Sequence, residues 1–216
     1  SMCDMQGYAP TAFVGFKNYR NILSNTMFLK ILLNTLKYVL WSLAIGYIAP
    51  LLTALMLNET AHFKSGFKSL IYFPHVLPGV AVSLMWYLMY FPDEGGMINM
   101  LLSFFGVKPL EWLQNEALTI PLIIISITWK DMPGGMLMYY ATLQGVNRDL
   151  YEAATIDGAG VFRRLWSITL PQISGTMLLM LINQIISIFQ IMEQPMAMTG
   201  GGPNNASISL VYWSYK

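Results

Sequence analysis

Three long apolar runs without an aspartate, glutamate, lysine or arginine constrain the fold of this 216-residue chain more than any other feature. They cover Tyr38–Leu57, Leu70–Phe91 and Ile168–Met192, and are 20, 22 and 25 residues long. A membrane-spanning α-helix needs about 20 mostly apolar residues, so each run is long enough to cross a bilayer. Charged residues make up 11% of the chain, whereas a soluble domain carries about 25%. The sequence therefore predicts an all-α, polytopic membrane protein.

The apolar runs and the polar breaks between them predict about five transmembrane helices in a single domain, residues 1–216. In chain order the predicted spans are Ile31–Leu57, Leu70–Phe91, Ala117–Leu143, Ile168–Met192 and the start of a fifth near Ala206. We expect Pro50 to kink the first span and Pro133, with Lys130 and two glycines beside it, to interrupt the third. Residues 1–30 are mixed in composition and are expected at the membrane interface. The chain begins with polar residues and stops inside an apolar run, so we expect a fragment that lacks a first helix and the end of a last one.

Several function classes are excluded by composition and by absent motifs. A net charge of +1 offers no basic surface for nucleic acid. His62 and His75 have no cysteine beside them, so we expect no metal site, and we expect no cofactor. The chain has no G-x-x-x-x-G-K-[ST] loop, so we expect ATP hydrolysis to belong to separate subunits and this chain not to be an enzyme.

The most specific pattern lies in a polar segment between two apolar runs. Its fixed positions are Glu152, Ala153, Ala154, Gly158, Ile168, Leu170 and Pro171. Asp149 precedes a good helix former and has a glutamate three residues later, which is typical of a capping box. Gly158 and Gly160 permit a sharp turn after the helix. An ordinary interhelical loop with a capped helix would satisfy the spacing alone.

The full pattern resembles the EAA loop of ABC-importer permeases. In that family the loop is a cytoplasmic coupling helix that docks into a cleft on an ATPase subunit. The resemblance implies that residues 145–167 are a cytoplasmic coupling loop. It assigns ATPase coupling to Glu152, Ala153, Ala154, Asp157, Gly158, Ile168, Leu170 and Pro171.

From Phe13 to Trp213 the chain resembles the permease subunit of a type I ABC importer, in the carbohydrate-uptake branch that includes maltose and multiple-sugar transporter permeases. The resemblance implies a six-helix core in the inner or plasma membrane of a bacterium or archaeon. It also implies a second permease, an ABC ATPase dimer, an extracellular or periplasmic sugar-binding protein and a sugar substrate. A different solute, such as a glycerol phosphate or a polyamine, is the alternative within transport. A non-transporting membrane scaffold is the alternative in another class.

The distribution of lysine and arginine predicts the orientation. Residues 58–69 and 144–167 fall on one side of the membrane by parity and carry five of these residues, whereas 92–116 and 193–205 carry one, Lys108. The positive-inside rule assigns the first pair to the cytoplasm. Residues 1–30 then lie outside although they carry three basic residues, which is an exception to the rule.

Two groups of polar residues inside apolar runs are candidates for the substrate pathway. Trp129, Lys130 and Asp131 lie in the third span, where a charge must face protein or water. Asn183, Ser187, Gln190 and Gln194 follow one another at helical spacing in the fourth span, and their neutral amides and hydroxyl suit the hydroxyl groups of a sugar. The alternatives are a packing kink with an interhelical ion pair for the first group, and interhelical hydrogen bonds for the second.

Overall fold

The computed structural model describes residues 2–6, 9–59 and 71–216. Leu70 and most of the predicted loop at residues 58–69 lie outside the described residues. The principal helices, numbered here in chain order, are α1 Lys17–Leu23, α2 Thr26–Trp41, α3 Ile48–Glu59, α4 Gly79–Met89, α5 Met97–Ser103, α6 Glu116–Gln144, α7 Arg148–Ile156, α8 Val161–Arg164, α9 Leu170–Gln172, α10 Ser174–Phe189, α11 Glu193–Thr199 and α12 Leu210–Tyr215. The described body is helical, as predicted, but two short strands, Cys3–Gln6 and Ala9–Phe13, pair in antiparallel fashion before α1.

The first predicted span is one helical run, Thr26–Asn58, of 33 residues. It begins five residues before the predicted Ile31, because the Asn25 side chain accepts a hydrogen bond from the Met27 N–H at 2.8 Å and caps the helix. A π-helical turn at Ser42–Gly46 joins α2 to α3. This irregularity lies one turn before Pro50, which has no N–H to offer the Gly46 carbonyl.

The second predicted span is not continuous, so the prediction of one helix over Leu70–Phe91 is wrong. Residues 71–76 are helical, the chain leaves the helix at Leu77, and α4 begins after Pro78. Proline disfavours the helical conformation in the residue before it, which accounts for the break. The resulting α4 has 11 residues, too few to cross a bilayer alone.

The third predicted span is unbroken, contrary to our expectation at Pro133. Helix α6 runs for 29 residues and contains both Pro121 and Pro133. Gly135 brings α6 close to α3, since a Cβ at this position would lie 3.0 Å from the Pro50 Cβ. A proline inside a long, well-packed helix removes one hydrogen bond without ending the helix when neighbouring helices hold both sides.

The fourth predicted span is bent. The helical run Val161–Gln172, which contains a π-helical turn at Leu165–Thr169, meets α10 at an angle of 71°. The bend falls at Ile173, whose side chain is buried. The prediction of one helix over Ile168–Met192 is therefore wrong, because Pro171 and the π-turn change the backbone hydrogen-bond register immediately before the bend, and α10 ends at Phe189.

Among the described residues, Thr26–Asn58 is the helix long and apolar enough to cross a membrane by length and hydropathy alone. The bent pair Val161–Gln172 and Ser174–Phe189 counts as a second if the two helices form one span. Helix α6 is long, but Lys130 and Asp131 interrupt its apolar face. By this criterion the described residues give fewer spans than the five predicted.

Buried and exposed side chains on the first span are distributed opposite to those of a soluble helix. Asn34, Thr35 and Ser42 are buried, whereas Leu40 and Met56 are mostly exposed. Polar groups thus meet the protein interior and apolar groups meet the surroundings, which is the arrangement that a hydrocarbon environment tolerates.

Hydrogen bonds far apart in sequence define the two ends of the helical body. At one end the Gln144 amide donates to the Asn58 side chain at 2.7 Å. At the other end, the Asn204 carbonyl accepts a hydrogen bond from the Lys30 ammonium group at 2.6 Å. The Asn204 side-chain amide donates a hydrogen bond to the Glu116 carboxylate at 2.7 Å. These contacts place Asn58 and Gln144 at one end and Lys30, Glu116 and Asn204 at the other, and which end faces the cytoplasm stays a prediction.

The C-terminal segment is hydrogen-bonded along the start of the first span. The Asn34 side chain donates to the Asn205 carbonyl at 2.8 Å, and the Tyr38 hydroxyl donates to the Ser207 carbonyl at 3.0 Å. The Leu210 N–H donates to the Thr35 hydroxyl at 3.1 Å. Buried polar groups of the first span therefore obtain partners from residues about 170 positions later.

Candidate functional site

The predicted coupling segment forms helix α7, which begins earlier than expected. Asn147 is its N-cap and accepts a hydrogen bond from the Asp149 N–H at 3.0 Å. Asp149 lies in the first turn instead of at the cap, so its prediction as N-cap is wrong. Asparagine caps a helix as well as aspartate does, and Asp149 in the first turn still places negative charge at the positive end of the helix.

Helix α7 ends in a glycine-dependent turn. Gly158 has φ of +72°, and the Ala159 N–H donates to the Ala154 carbonyl at 2.8 Å, which is the hydrogen bond of a Schellman motif. The prediction that Gly158 permits a sharp turn is confirmed. Gly160, by contrast, has an ordinary negative φ and precedes helix α8 as its N-cap.

Two side-chain hydrogen bonds hold helix α7 against the residues that follow it in the chain. Tyr151 and Thr169 share a hydrogen bond between their hydroxyl groups at 2.9 Å, and Thr169 is buried. The Arg164 guanidinium donates to the Thr155 hydroxyl at 3.1 Å. Helix α7 is therefore held on the face that carries Tyr151 and Thr155.

The remaining face of the segment is uncovered. Glu152, Ala153 and Asp157 are exposed, and Ile156 is 87% exposed. Phe162, four residues beyond Gly158, is 79% exposed. Of the other predicted coupling residues, Ala154, Ile168 and Leu170 are half-buried and Pro171 is exposed on α9. The segment thus offers an apolar patch beside acidic side chains, with no partner for it within the described chain.

A cavity of about 740 Å³ lies between α3, α4, α6, α10 and α11. Its polar lining comes from neutral and acidic side chains: Thr128, Asp131, Gln184, Ser187, Gln190, Glu193 and Gln194. Four methionines supply much of its apolar surface, namely Met132, Met180, Met192 and Met196. Flexible thioethers accommodate ligands of irregular shape, and the cavity volume falls within the range of small-molecule sites.

The structure brings four of the seven predicted pathway residues to this cavity. Asp131, Ser187, Gln190 and Gln194 line it, whereas Trp129, Lys130 and Asn183 do not. Trp129 packs edge-on against Trp86, with ring centroids 6.0 Å apart. Helix α10 ends at Phe189, so Gln190 lines the cavity from the helix C-cap.

The two charges of the third span are paired with each other. Lys130 Nζ lies 3.2 Å from Asp131 Oδ1, and His75 Nδ1 lies 3.8 Å from the same oxygen. The Lys130 side chain is 19% exposed and that of Asp131 is 50% exposed. Lys130 therefore pairs with a residue of the cavity lining without lining the cavity itself.

Sequence reasoning missed Gln184 and Glu193. Gln184 occupies space that Gly46 leaves free, since a Cβ on Gly46 would lie 2.8 Å from the Gln184 amide nitrogen. The spacing Met180, Gln184, Ser187, Ile191 is helical and would have indicated this face. Glu193 was assigned to a loop, and its place in the first turn of α11 gave no separate signal.

Comparison with known proteins identifies relatives of the whole helical body. The trehalose/maltose transport system permease protein MalF of Thermococcus litoralis is 35% identical over 94% of this chain and 69% of its own length. The polygalacturonan/rhamnogalacturonan transport system permease protein YteP of Bacillus subtilis is 37% identical over 83% of this chain. The chain matches 56% of the length of this second relative.

A solved structure shows the same fold. It is a bacterial ABC transporter involved in the import of the acidic polysaccharide alginate, with a TM-score of 0.85 at 26% identity over 95% of this chain and 72% of that chain. A second structure of a bacterial alginate ABC transporter contains an alginate pentasaccharide-bound periplasmic protein and has a TM-score of 0.82 at 27% identity, over 91% of this chain and 68% of that chain. A family model also matches residues 29–215. The chain belongs to the family of binding-protein-dependent transport system inner membrane components.

Proposed function

We propose that the chain is the permease subunit of an ATP-driven importer of saccharides and that it spans the plasma membrane of its cell several times. Its family membership and its relatives among sugar-transport permeases support this function. The observation that carries the proposal is the combination of an uncovered coupling segment at one end of the body with a polar cavity further along it. A scaffold protein needs neither.

The uncovered face of α7 is the proposed docking surface for an ATPase subunit. Ile156 would enter the cleft of the ATPase, while Glu152 and Asp157 would meet polar groups at its rim. Tyr151 bonds to Thr169, and Arg164 bonds helix α7 to helix α8 through Thr155, so a displacement of the ATPase would be transmitted to the run Val161–Gln172. A dimer of ATPase subunits would act in this way on this chain and on a second permease.

The bend at Ile173 lies between the proposed docking surface and the cavity. Helix α10, which follows the bend, carries Gln184 and Ser187 on the cavity wall. A change in the bend angle would therefore alter the width of the cavity. This connection supports a mechanism in which ATP binding changes the access of the cavity to the two sides of the membrane.

The polar lining of the cavity suits a saccharide as cargo. Amide and hydroxyl groups of Gln184, Ser187, Gln190 and Gln194 both donate and accept hydrogen bonds, as sugar hydroxyls do. The permease of Thermococcus litoralis is described as a trehalose/maltose transporter. An extracellular or periplasmic binding protein would deliver the sugar, as the alginate-transporter complex suggests by analogy.

Filling the cavity tests the proposal. Ser187→Phe, measured in proteoliposomes that contain both permeases, the ATPase dimer and the loaded binding protein, should reduce sugar uptake at least tenfold. Assembly and basal ATPase activity should persist, because Ser187 is exposed and far in sequence from the coupling segment.

The matched control is Ile186→Phe, which adds an aromatic ring to the adjacent, half-exposed residue that does not line the cavity. Uptake by this variant should remain within twofold of wild type. Normal uptake by Ser187→Phe would show that the cavity is not the pathway. Failure of sugar to stimulate the ATPase in the wild-type complex would favour a scaffold.

A further inference from the structure

The charged residues that line the cavity all carry the same sign. They are Asp131 on α6 and Glu193 on α11, and no lysine, arginine or histidine is among the lining residues. The two carboxylates differ in what surrounds them. This difference determines the net charge that a solute would meet.

Asp131 is largely compensated. Its carboxylate is 3.2 Å from the Lys130 ammonium group and 3.8 Å from the His75 ring. The Lys130–Asp131 pair therefore contributes little net charge to the cavity.

Glu193 has no such compensation within the described residues. Its carboxylate takes part in no ion pair or hydrogen bond with any residue of the segments 2–6, 9–59 and 71–216. It lies against the first residue of α4, where a Cβ on Gly79 would be 2.8 Å from Glu193 Oε2. The carboxylate therefore occupies space that a larger residue at position 79 would share with it.

The start of α4 favours a negative charge. Its N-cap, Pro78, provides no side-chain hydrogen bond to the first turn. The positive end of the helix dipole is therefore available to the Glu193 carboxylate. The Glu193 carboxylate thus lies at the cavity wall beside the first turn of α4.

We propose that Glu193 makes this cavity selective for neutral or amino-bearing saccharides and excludes saccharides that carry carboxylates. This inference rests on the proposed function of the cavity as the pathway, and it specifies the class of cargo. Two of the solved relatives belong to transporters of alginate, an acidic polysaccharide. For this chain we expect a cargo without carboxylates.

The cavity is small enough to keep a solute close to its wall. A volume of about 740 Å³ keeps any solute within roughly one Debye length, ~8 Å, of the wall. Screening by salt is then incomplete, and like charges repel. For a monovalent ion at such a distance, one wall charge changes the ratio of cation to anion concentration by roughly tenfold.

The test measures this ratio directly. Cysteine is introduced by Ser187→Cys in a Cys3→Ser background, in the assembled transporter without cargo. The rates of modification by a cationic and an anionic methanethiosulfonate reagent are compared, each relative to its rate with a small thiol in solution. The cationic reagent should react roughly tenfold faster after this normalisation.

Glu193→Gln isolates the residue, because it removes the charge and keeps the size of the side chain. This change should lower the normalised ratio to within about threefold of unity. Glu111→Gln is the matched control, since Glu111 is exposed and lies outside the cavity lining. It should leave the ratio unchanged.

The modification rates test the charge selectivity and the pathway separately. A normalised ratio near unity in the Glu193-containing protein, or an unchanged ratio after Glu193→Gln, would overturn the charge selectivity while leaving the cavity as an accessible pathway. A cysteine at Ser187 that reacts with neither reagent would overturn both this inference and the proposed pathway. The proposal would be supported if Glu193→Gln loses the preference for the cationic reagent while Glu111→Gln keeps it.

Discussion

The uncovered Ile156 allows docking to be separated from folding. Its side chain is 87% exposed in the described chain, so Ile156→Ala should change the stability of the permease by no more than about 0.5 kcal/mol. If the ATPase cleft covers the side chain, the substitution removes three buried carbon atoms from the interface. At about 0.8 kcal/mol for each buried methylene, the loss is about 2.4 kcal/mol. This corresponds to roughly a 50-fold weaker association.

The assay is a titration of the solubilised permease pair with the ATPase subunit, followed by measurement of sugar-stimulated ATP hydrolysis. Ile22→Ala is the matched control, because Ile22 is a partly exposed isoleucine on α1, before the first span and away from the coupling segment. Its affinity for the ATPase should equal that of wild type. If Ile156→Ala binds the ATPase within twofold of wild type, the face of α7 is not the docking surface and the coupling assignment fails.

Three further substitution experiments test the turn after α7, the orientation in the membrane and the packing of α3 on α6. Gly158→Asp should cost about 1 kcal/mol of local strain, because this position has a positive φ, and it meets no clash within the described chain. The variant permease should therefore insert normally yet lose transport, and normal uptake would contradict the coupling role. A cysteine at Val161 should react with an impermeant thiol reagent only from the cytoplasm and one at Asn204 only from outside, whereas the reverse labelling would overturn the orientation. Gly135→Val should lower the thermal stability of the complex by about 1–3 kcal/mol, because even a Cβ there would press against Pro50; an unchanged melting temperature would show that α3 and α6 can separate.

Local signals were sufficient to predict the helix and the glycine turn of the proposed coupling segment. Gly158 needed a positive φ, and the short polar sequence before it needed a helix with a cap, so hydrogen-bonding rules for helix ends located both. The cap itself was misassigned by two residues. Asn147 and Asp149 have similar capping propensities, and the choice between them depends on where the chain leaves α6.

The cavity required information that the sequence does not contain. Periodicity predicts which residues share a face, but the rotation of α10 about its axis depends on its neighbours. In the structure Gln184 lies beside Gly46 and lines the cavity, whereas Asn183 does not. The break before α4 and the bend at Ile173 also depend on packing, since a proline can kink, break or be tolerated within a helix.

The hydrogen bonds between the first span and the C-terminal segment impose an order on biogenesis. Asn34, Thr35 and Tyr38 leave the ribosome long before Asn205, Ser207 and Leu210, their partners in the folded protein. Until those residues are synthesised, the early span carries polar groups that neither lipid nor its own helix can satisfy completely. Contacts of such high sequence separation form slowly. This face of the first span therefore acquires its partners only after residues 205–210 have been synthesised.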